Sequence, residues 1–225
     1  MQSYPTAVPK QLPVMTLRGV VLFPKAMMPL RIFEERYKEM LDEVLNTTRM
    51  FGIVCERENV AEDEVHMEHP FGVATAGLIR VSKKHDDGTS FVLLQGIRRV
   101  KVRGIVQEMP YRIIEAEEME SIQDESSHKI RKEIEQALEQ NKLLGGEVTD
   151  EMLEFLNPLD DDDAFVDLAA FTLCKHTLRK QAMLEVQHLS KRASMLLTDL
   201  HRENDRLATI KQLMNQSEDE DAAQN

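Results

Sequence analysis

The first half of the chain alternates short apolar runs with turn-forming residues, a pattern typical of β-strands. Asp87-Gly88 favours a hairpin turn, because glycine readily adopts the positive φ that tight turns require. In Arg98–Gln107 valines alternate with basic residues, which predicts a half-buried strand with a solvated basic face. The predicted strands are Pro13–Phe23, Met50–Glu56, Phe71–Lys83, Phe91–Gln95, Arg98–Gln107 and Tyr111–Glu117.

One helix is predicted among these strands, over Glu34–Asn46. Glu34 and Glu35 occupy its first turn, where the helix dipole favours acidic side chains. The apolar residues at helical spacing are Tyr37, Met40, Leu41, Val44 and Leu45.

After about residue 124 the apolar period changes from two to 3.6 residues, which predicts an all-helical second part. Thr149 is expected to cap a short helix, and the acidic run Asp160–Asp163 to precede the next one. A last, long helix is predicted from about Gln181 to Met214, packed as far as Leu200. The predicted organisation is a flexible N-terminus (1–10), a β-rich subdomain (11–122), a helical subdomain (123–214) and a disordered acidic tail (215–225).

Charge is distributed unevenly along the 225 residues. The chain carries 28 Lys and Arg against 40 Asp and Glu, a formal net charge of −12. Residues 1–113 are close to neutral, whereas the rest is strongly acidic and would repel a phosphate backbone. We therefore do not expect the second half to bind nucleic acid, whereas the charge of the first half does not argue against such contact.

The sequence favours a cytoplasmic protein. No apolar run is long enough to span a membrane, and the N-terminus does not have the pattern of a secretory signal. Only two cysteines occur, Cys55 and Cys174, so a disulfide framework is not expected.

Searches for catalytic and metal motifs find nothing that indicates an enzyme. Gly72 and Gly77 have the glycine spacing of a phosphate-binding loop, but Leu78 and Ile79 stand where lysine and a hydroxyl residue are needed. His66 with His69, and Cys174 with His176, are isolated pairs without a second pair at zinc-ligand spacing, and no G-x-S-x-G motif is present. We expect no catalytic residue, no cofactor and no metal.

An ordered series of short segments extends across about residues 11–202 of the chain. The segments are Leu12-Pro13, Leu17–Pro24, Pro29-Leu30, Ile32–Tyr37, Phe51–Val54, Gly72–Ala74 with Gly77, Asp87-Gly88, Gly96–Arg99, Pro110-Tyr111, Asp167–Ala169 and Lys180–Glu185. This series resembles the N-terminal substrate-binding domain of the ATP-dependent Lon protease. Lys25 is a departure, because the family often has glycine at that position.

The resemblance implies an α+β fold, in which a twisted, PUA-like β pseudo-barrel with one inserted helix precedes a helical bundle that ends in a long helix. It also implies recognition of unfolded or tagged protein substrates. The AAA+ module and the Ser–Lys protease module of the family are absent from these residues, so we expect a stand-alone, non-enzymatic binding protein.

Two surfaces are candidates for binding. An apolar loop running into an amphipathic helix makes Met27, Met28, Phe33 and Tyr37 candidates for peptide contact, unless the methionines fill the core instead. Alternatively, Arg99, Lys101 and Arg103 in the basic strand Arg98–Arg103 could bind RNA, unless this is only a solvated face. A third possibility is an adaptor that docks to a separate protease or chaperone through the long helix, which could also mediate self-association.

Overall fold

The computed structural model describes residues 7–57, 69–124 and 127–223 and confirms the mixed α+β architecture. Within those ranges the strands are β1 (Gln11–Leu17), β2 (Met27–Ile32), β3 (Met50–Cys55), β4 (Val73–Lys84), β5 (Ser90–Gln107) and β6 (Arg112–Met119). The helices are α1 (Glu35–Leu45), α2 (Ser127–Leu143), α3 (Asp150–Leu156), α4 (Asp162–Leu173), α5 (Thr177–Glu185) and α6 (Leu189–Ala223).

The chain divides into two compact units. The first comprises Met1–Glu120 with Lys175–Gln187, and it contains all of these strands together with α1 and α5. The second comprises Ser121–Cys174 with His188–Asn225, and it contains α2, α3, α4 and α6. The residues of α5 were predicted to belong to the helical subdomain, because helical periodicity does not show which unit a helix packs against.

The sheet of the first unit closes into a ring with one strand outside it. Its order is β2-β5-β4-β3-β1-β6, and an additional pairing of β5 with β6 closes the ring. β5 is long enough to pair with three strands. Its first part, Ser90–Gln95, pairs with β2, its second part, Arg99–Gln107, pairs with β6, and β4 pairs with residues of both parts. β2 therefore lies at an edge of the sheet.

The interior of the ring is apolar and consists of side chains from five strands. Leu12, Val14, Met50, Val54, Ala74, Ala76, Leu78, Val100 and Ile114 form this core. Residues just before β1 also join the sheet, since the Val8 amide donates to Glu118 and the Lys10 carbonyl accepts from Ala116. Residues 1–6 of the predicted flexible N-terminus lie outside the described residues.

The predicted first strand, Pro13–Phe23, is wrong in its second half. β1 ends at Leu17, and Val21–Phe23 is a buried loop whose Leu22 carbonyl accepts a hydrogen bond of 2.5 Å from the Thr75 hydroxyl. Conversely, a loop was expected between Pro24 and Pro29, whereas its second half belongs to β2, which begins at Met27. Proline is tolerated there because β2 is an edge strand.

Two local predictions are confirmed. α1 buries Tyr37, Met40, Leu41 and Val44 on one face. At the hairpin between β4 and β5, Gly88 has φ of 76°.

The second unit contains polar groups that sequence periodicity did not indicate. Asn204 is buried in α6; its amide accepts from Asn141 at 2.8 Å and donates to the Ala137 carbonyl at 2.8 Å. These hydrogen bonds join α6 to α2. The packed part of α6 therefore extends beyond Leu200, where the polar sequence predicted that packing ends. Arg192, also buried, pairs with Asp163 and Asp167 of α4.

The predicted caps and the predicted long helix have different outcomes. The Thr149 hydroxyl caps α3 by accepting from the Met152 amide, as predicted. The single helix expected from Gln181 to Met214 is instead two helices, since α5 ends at Glu185 and α6 begins at Leu189. The backbone of α6 continues to Ala223, through residues for which the sequence suggested disorder.

A close backbone contact fixes the start of β2 against β5. The Gly96 amide donates to the Ala26 carbonyl at 2.9 Å, and the Lys25 amide donates to the Gly96 carbonyl at 2.8 Å. A Cβ on Gly96 would lie 2.1 Å from the carbonyl oxygen of Phe23. Only glycine permits this approach.

We predict that Gly96→Ala lowers the free energy of unfolding of the first unit by about 3 kcal/mol or more, because two backbone segments must separate. Gly104→Ala is the matched control, since its Cβ would meet no atom within 4 Å. Urea titration followed by tyrosine fluorescence measures the effect, because Tyr37 and Tyr111 are buried in this unit. Equal unfolding midpoints for the two variants would contradict the prediction.

Candidate functional site

Alternate residues of β2, β5 and β4 form one solvent-facing sheet surface, here called the outer face. Cross-strand partners in a sheet share a face, so the register defines its rows. The three rows are Met27–Gln95, Pro29–Leu93–Val81 and Arg31–Phe91–Lys83.

The centre of the outer face is apolar and accessible. Met27, Val81 and Phe91 are 40 %, 46 % and 38 % exposed, and Pro29 is also exposed between them. Leu93 lies between Pro29 and Val81 and is half-buried. Five apolar side chains on adjacent strands form a contiguous patch, unlike the single exposed apolar residues that are normal on protein surfaces.

The opposite face of the same strands explains why these residues must point outward. Met28, Ile32, Val92 and Leu94 alternate with the outer-face residues and are buried. Since successive side chains of a strand point to opposite faces, burial of this set exposes the other. The outer face is therefore held in place by the core.

Charged side chains at the margin of the outer face are basic. Arg31 and Lys83 are the outer residues of one row, and exposed Arg80 donates to the Gln95 side chain at 2.7 Å. β2 and β4 contain no acidic residue at all. The face therefore presents an apolar centre with cations at its margin.

Arg31 has an acidic partner, Asp87, in the hairpin turn. It accepts from Arg31 at 2.9 Å and from the hydroxyl and amide of Thr89. The hydrogen bond from the Thr89 hydroxyl, with smaller effects from the Thr89 amide and Arg31, holds the pKa of Asp87 below its ordinary value. Asp87 thus stays ionised and orients Arg31 beside the turn.

The predicted apolar site residues fall into two groups. Met27 lies on the outer face, and Phe33, directly after β2, is 63 % exposed. Met28 and Tyr37 are buried, which corrects their assignment as peptide-contacting residues. The physical reason is that Met28 alternates with Met27 in a strand, while Tyr37 lies on the buried side of α1.

Most of the outer face, namely Pro29, Val81, Phe91 and Leu93, was not predicted from the sequence. Phe91–Leu94 is apolar throughout, so the pattern alone does not distinguish its two faces. Recognising β2 as a strand would have been the useful signal, since its register with β5 separates the exposed residues from the buried ones.

The basic strand is also different from the prediction, because Arg99 is only 3 % exposed. Its guanidinium donates to the carbonyl of Leu184 in α5 at 3.1 Å and lies 6.0 Å from the Phe23 ring centre. Arg99 does not lie on the solvated face that was expected, because α5 covers the sheet at this position. The two-residue alternation of the sequence does not show that a helix packs over the strand.

Lys101 and Arg103 are exposed as predicted, but they lie opposite acidic residues of β6. Lys101 is the cross-strand partner of Glu117, and Arg103 pairs with the same carboxylate. The hydrogen bond from Arg103 holds the pKa of Glu117 below its ordinary value. With this row of β6 carboxylates, the strand offers little net positive charge to RNA.

Other candidate features give no further site in the part of the chain that is described. No three His, Cys, Asp or Glu side chains converge there as a metal site would require, and His66 lies outside that part. None of the described helices combines the length and apolarity needed to cross a membrane. Ile210, Leu213 and Met214 on α6 are exposed, so self-association through this helix remains a prediction.

Comparison with known protein families gives a match over most of the chain. Residues 11–202 match the family described as the ATP-dependent protease La (LON) substrate-binding domain. Lon protease of Escherichia coli (strain K12) is 27 % identical over 208 residues, covering 91 % of this chain and 26 % of the relative. Lon protease 3 of Sorangium cellulosum is 28 % identical over 189 residues, covering 82 % and 22 %. The chain thus spans about a quarter of the length of these relatives.

Solved structures share the fold. A Lon N-terminal domain protein from Xanthomonas campestris superposes with a TM-score of 0.60 at 21 % identity, covering 84 % of this chain and 97 % of that one. The N-terminal domain of Mycobacterium avium complex Lon protease gives a TM-score of 0.65 at 14 % identity, covering 85 % and 98 %.

Burial of Arg99 generates a stability prediction. Arg99→Ala should lower the free energy of unfolding of the first unit by about 2–4 kcal/mol, because the buried Leu184 carbonyl loses its charged donor. Lys101→Ala, two residues away and exposed, should change it by less than about 0.5 kcal/mol. Urea titration of both variants checks this, and an unchanged midpoint for Arg99→Ala would refute the structural role of the side chain.

Proposed function

The chain belongs to the family of Lon substrate-binding domains, and from that premise we propose that it is a non-catalytic module that binds unfolded segments of other proteins on its outer face. The observation that carries the proposal is the contiguous apolar patch of Met27, Pro29, Val81, Phe91 and Leu93. The proposal assigns the chain no chemical step, and it places the protein in the cytoplasm.

The chemistry of the patch supports an unfolded occupant. An unfolded segment exposes apolar side chains that a folded protein buries, and transferring them onto the patch removes apolar surface from water on both partners. Met27 has an adaptable thioether side chain, which suits contact with segments of different sequence. Broad recognition of this kind requires apolar area rather than a shaped pocket.

The basic margin adds a preference among such segments. Arg31, Arg80 and Lys83 lie around the patch, and each is exposed. Exposed charges contribute modestly to affinity but strongly to the rate and selectivity of encounter. Segments with acidic residues beside apolar ones are therefore the expected class.

The proposal predicts that Met27→Ser weakens binding of fluorescently labelled, reduced and carboxymethylated α-lactalbumin, a permanently unfolded protein. Loss of one half-exposed methionine contact corresponds to about 1 kcal/mol, or about fivefold in Kd measured by fluorescence anisotropy. The melting temperature should remain nearly unchanged, because the Met27 side chain faces solvent.

Met109→Ser is the matched control, since Met109 is 76 % exposed and lies outside the three strands of the outer face. It should bind the unfolded probe like the parent protein. Native α-lactalbumin should not bind. Equal weakening by both substitutions, or no binding of the unfolded probe by the parent at about 100 µM, would contradict the proposal.

A further inference from the structure

The free edge of β2 lies beside the outer face. β2 pairs with β5 and, among the described strands, with no other. Met27, Pro29 and Arg31 are all exposed along it. An edge strand presents unpaired backbone donors and acceptors to solvent, and these can pair with another extended segment.

The hydrogen-bond pattern shows which backbone groups of β2 face this edge. In an antiparallel pair, alternate residues point their N–H and C=O groups toward the partner strand. The Ala26 carbonyl accepts from Gly96 in β5, so even-numbered residues point inward. Pro29 has no N–H to donate and belongs to the opposite set, which agrees with this assignment. The groups on the free edge therefore come from Met27, Pro29 and Arg31.

These groups form a short binding template. It consists of the N–H groups of Met27 and Arg31 and the carbonyls of Met27, Pro29 and Arg31. Outside the β2–β5 pairing, the amides of Met27 and Arg31 make no backbone hydrogen bond to another described residue. The one missing donor is that of Pro29, in the middle of the edge.

We propose that extended segments bind by adding a strand to the free edge of β2, so that backbone hydrogen bonds hold the segment while its alternate side chains extend the outer face. This inference rests on the proposed function and specifies its binding mode. The occupant is a segment of another protein in which apolar residues alternate with polar ones, with acidic residues near its ends.

Two observations select this occupant. The outer face is continuous with the edge, since Met27 and Pro29 belong to both, and an added strand would place every second side chain beside them. The charged residues of β4, namely Arg80, Lys83 and Lys84, are exposed and all basic, which complements acidic ends. Backbone bonding is independent of sequence, so it suits a module that binds many different segments.

The first test uses a labelled peptide of alternating valine and threonine with aspartate at each end. Two derivatives carry backbone N-methyl groups, one on its valines and the other on its threonines. Each derivative therefore loses the N–H donors of a different strand edge, while the amino-acid composition of the two is the same. Strand addition predicts that one derivative loses at least about tenfold in affinity while the other stays within about threefold of the parent peptide. Equal binding of all three peptides would overturn the proposal.

The second test changes the protein edge. Arg31→Pro removes an outward N–H without removing a bond to β5, and Arg31→Ala is its matched control because it removes the same charge but retains the N–H. The proline variant should bind the unmethylated peptide about fivefold more weakly than the alanine variant. Pro29→Val adds an outward N–H and keeps apolar surface, so it should bind about fivefold more tightly than the parent. Melting temperatures of all variants establish that the fold is retained.

The outcomes separate this inference from the proposed function. If Met27→Ser weakens binding of unfolded α-lactalbumin but N-methylation and Arg31→Pro have no effect, the outer face binds substrates and strand addition is wrong. If the parent binds neither probe, both proposals fail. If the parent forms a concentration-dependent dimer that Arg31→Pro abolishes, the edge pairs with a second copy, which also overturns the proposed occupant.

Discussion

The contact between Gly96 and the Phe23–Ala26 loop is the constraint on which the surface of the first unit depends. Because residue 96 lacks a side chain, the loop carbonyl can approach the backbone of β5, and two hydrogen bonds fix Lys25 and Ala26 there. β2 starts immediately afterwards, so its register against β5 is set at this point. A shift of one residue would exchange the two faces of β2 and bury Met27 in place of Met28.

The backbone of Lys25 is strained in this arrangement. Its φ is 67°, a left-handed conformation that costs a non-glycine residue about 1–2 kcal/mol. Glycine adopts a positive φ without steric cost, whereas here the position is occupied by lysine. The conformation persists because the loop on either side is held, by the Leu22 carbonyl on Thr75 and by Gly96 on Ala26.

Local signals predicted much of this fold, and long-range contacts determined the rest. Asp87-Gly88 predicted its hairpin and Tyr37 to Val44 predicted α1, because turns and helical faces are encoded by neighbouring residues. Arg99 and Met28 were misassigned because their burial depends on α5 and on pairing with β5, which lie far away in sequence. Among the candidate residues named from the sequence, only Met27 lies on the outer face, while Val81, Phe91 and Leu93 could be identified only from the strand register. A candidate site built from three strands cannot be assembled from the pattern of any one of them.

Pro29 connects the stability of the edge with its proposed use. An edge strand that retained all of its backbone donors and acceptors beside an apolar face would favour permanent pairing between copies of the chain. Such pairing leads to aggregation, which is the usual hazard of exposed edges. Removing one donor from the middle of the edge weakens every strand that could add there, whether from a substrate or from a second copy. A substrate-binding module gains from this weakness, because segments that bind briefly can be released, whereas a strand held by a complete ladder would remain. The same residue contributes to the apolar centre of the outer face, so affinity shifts from directional backbone bonds toward non-directional apolar contact. That balance is the one expected of a surface that must accept many sequences and retain none.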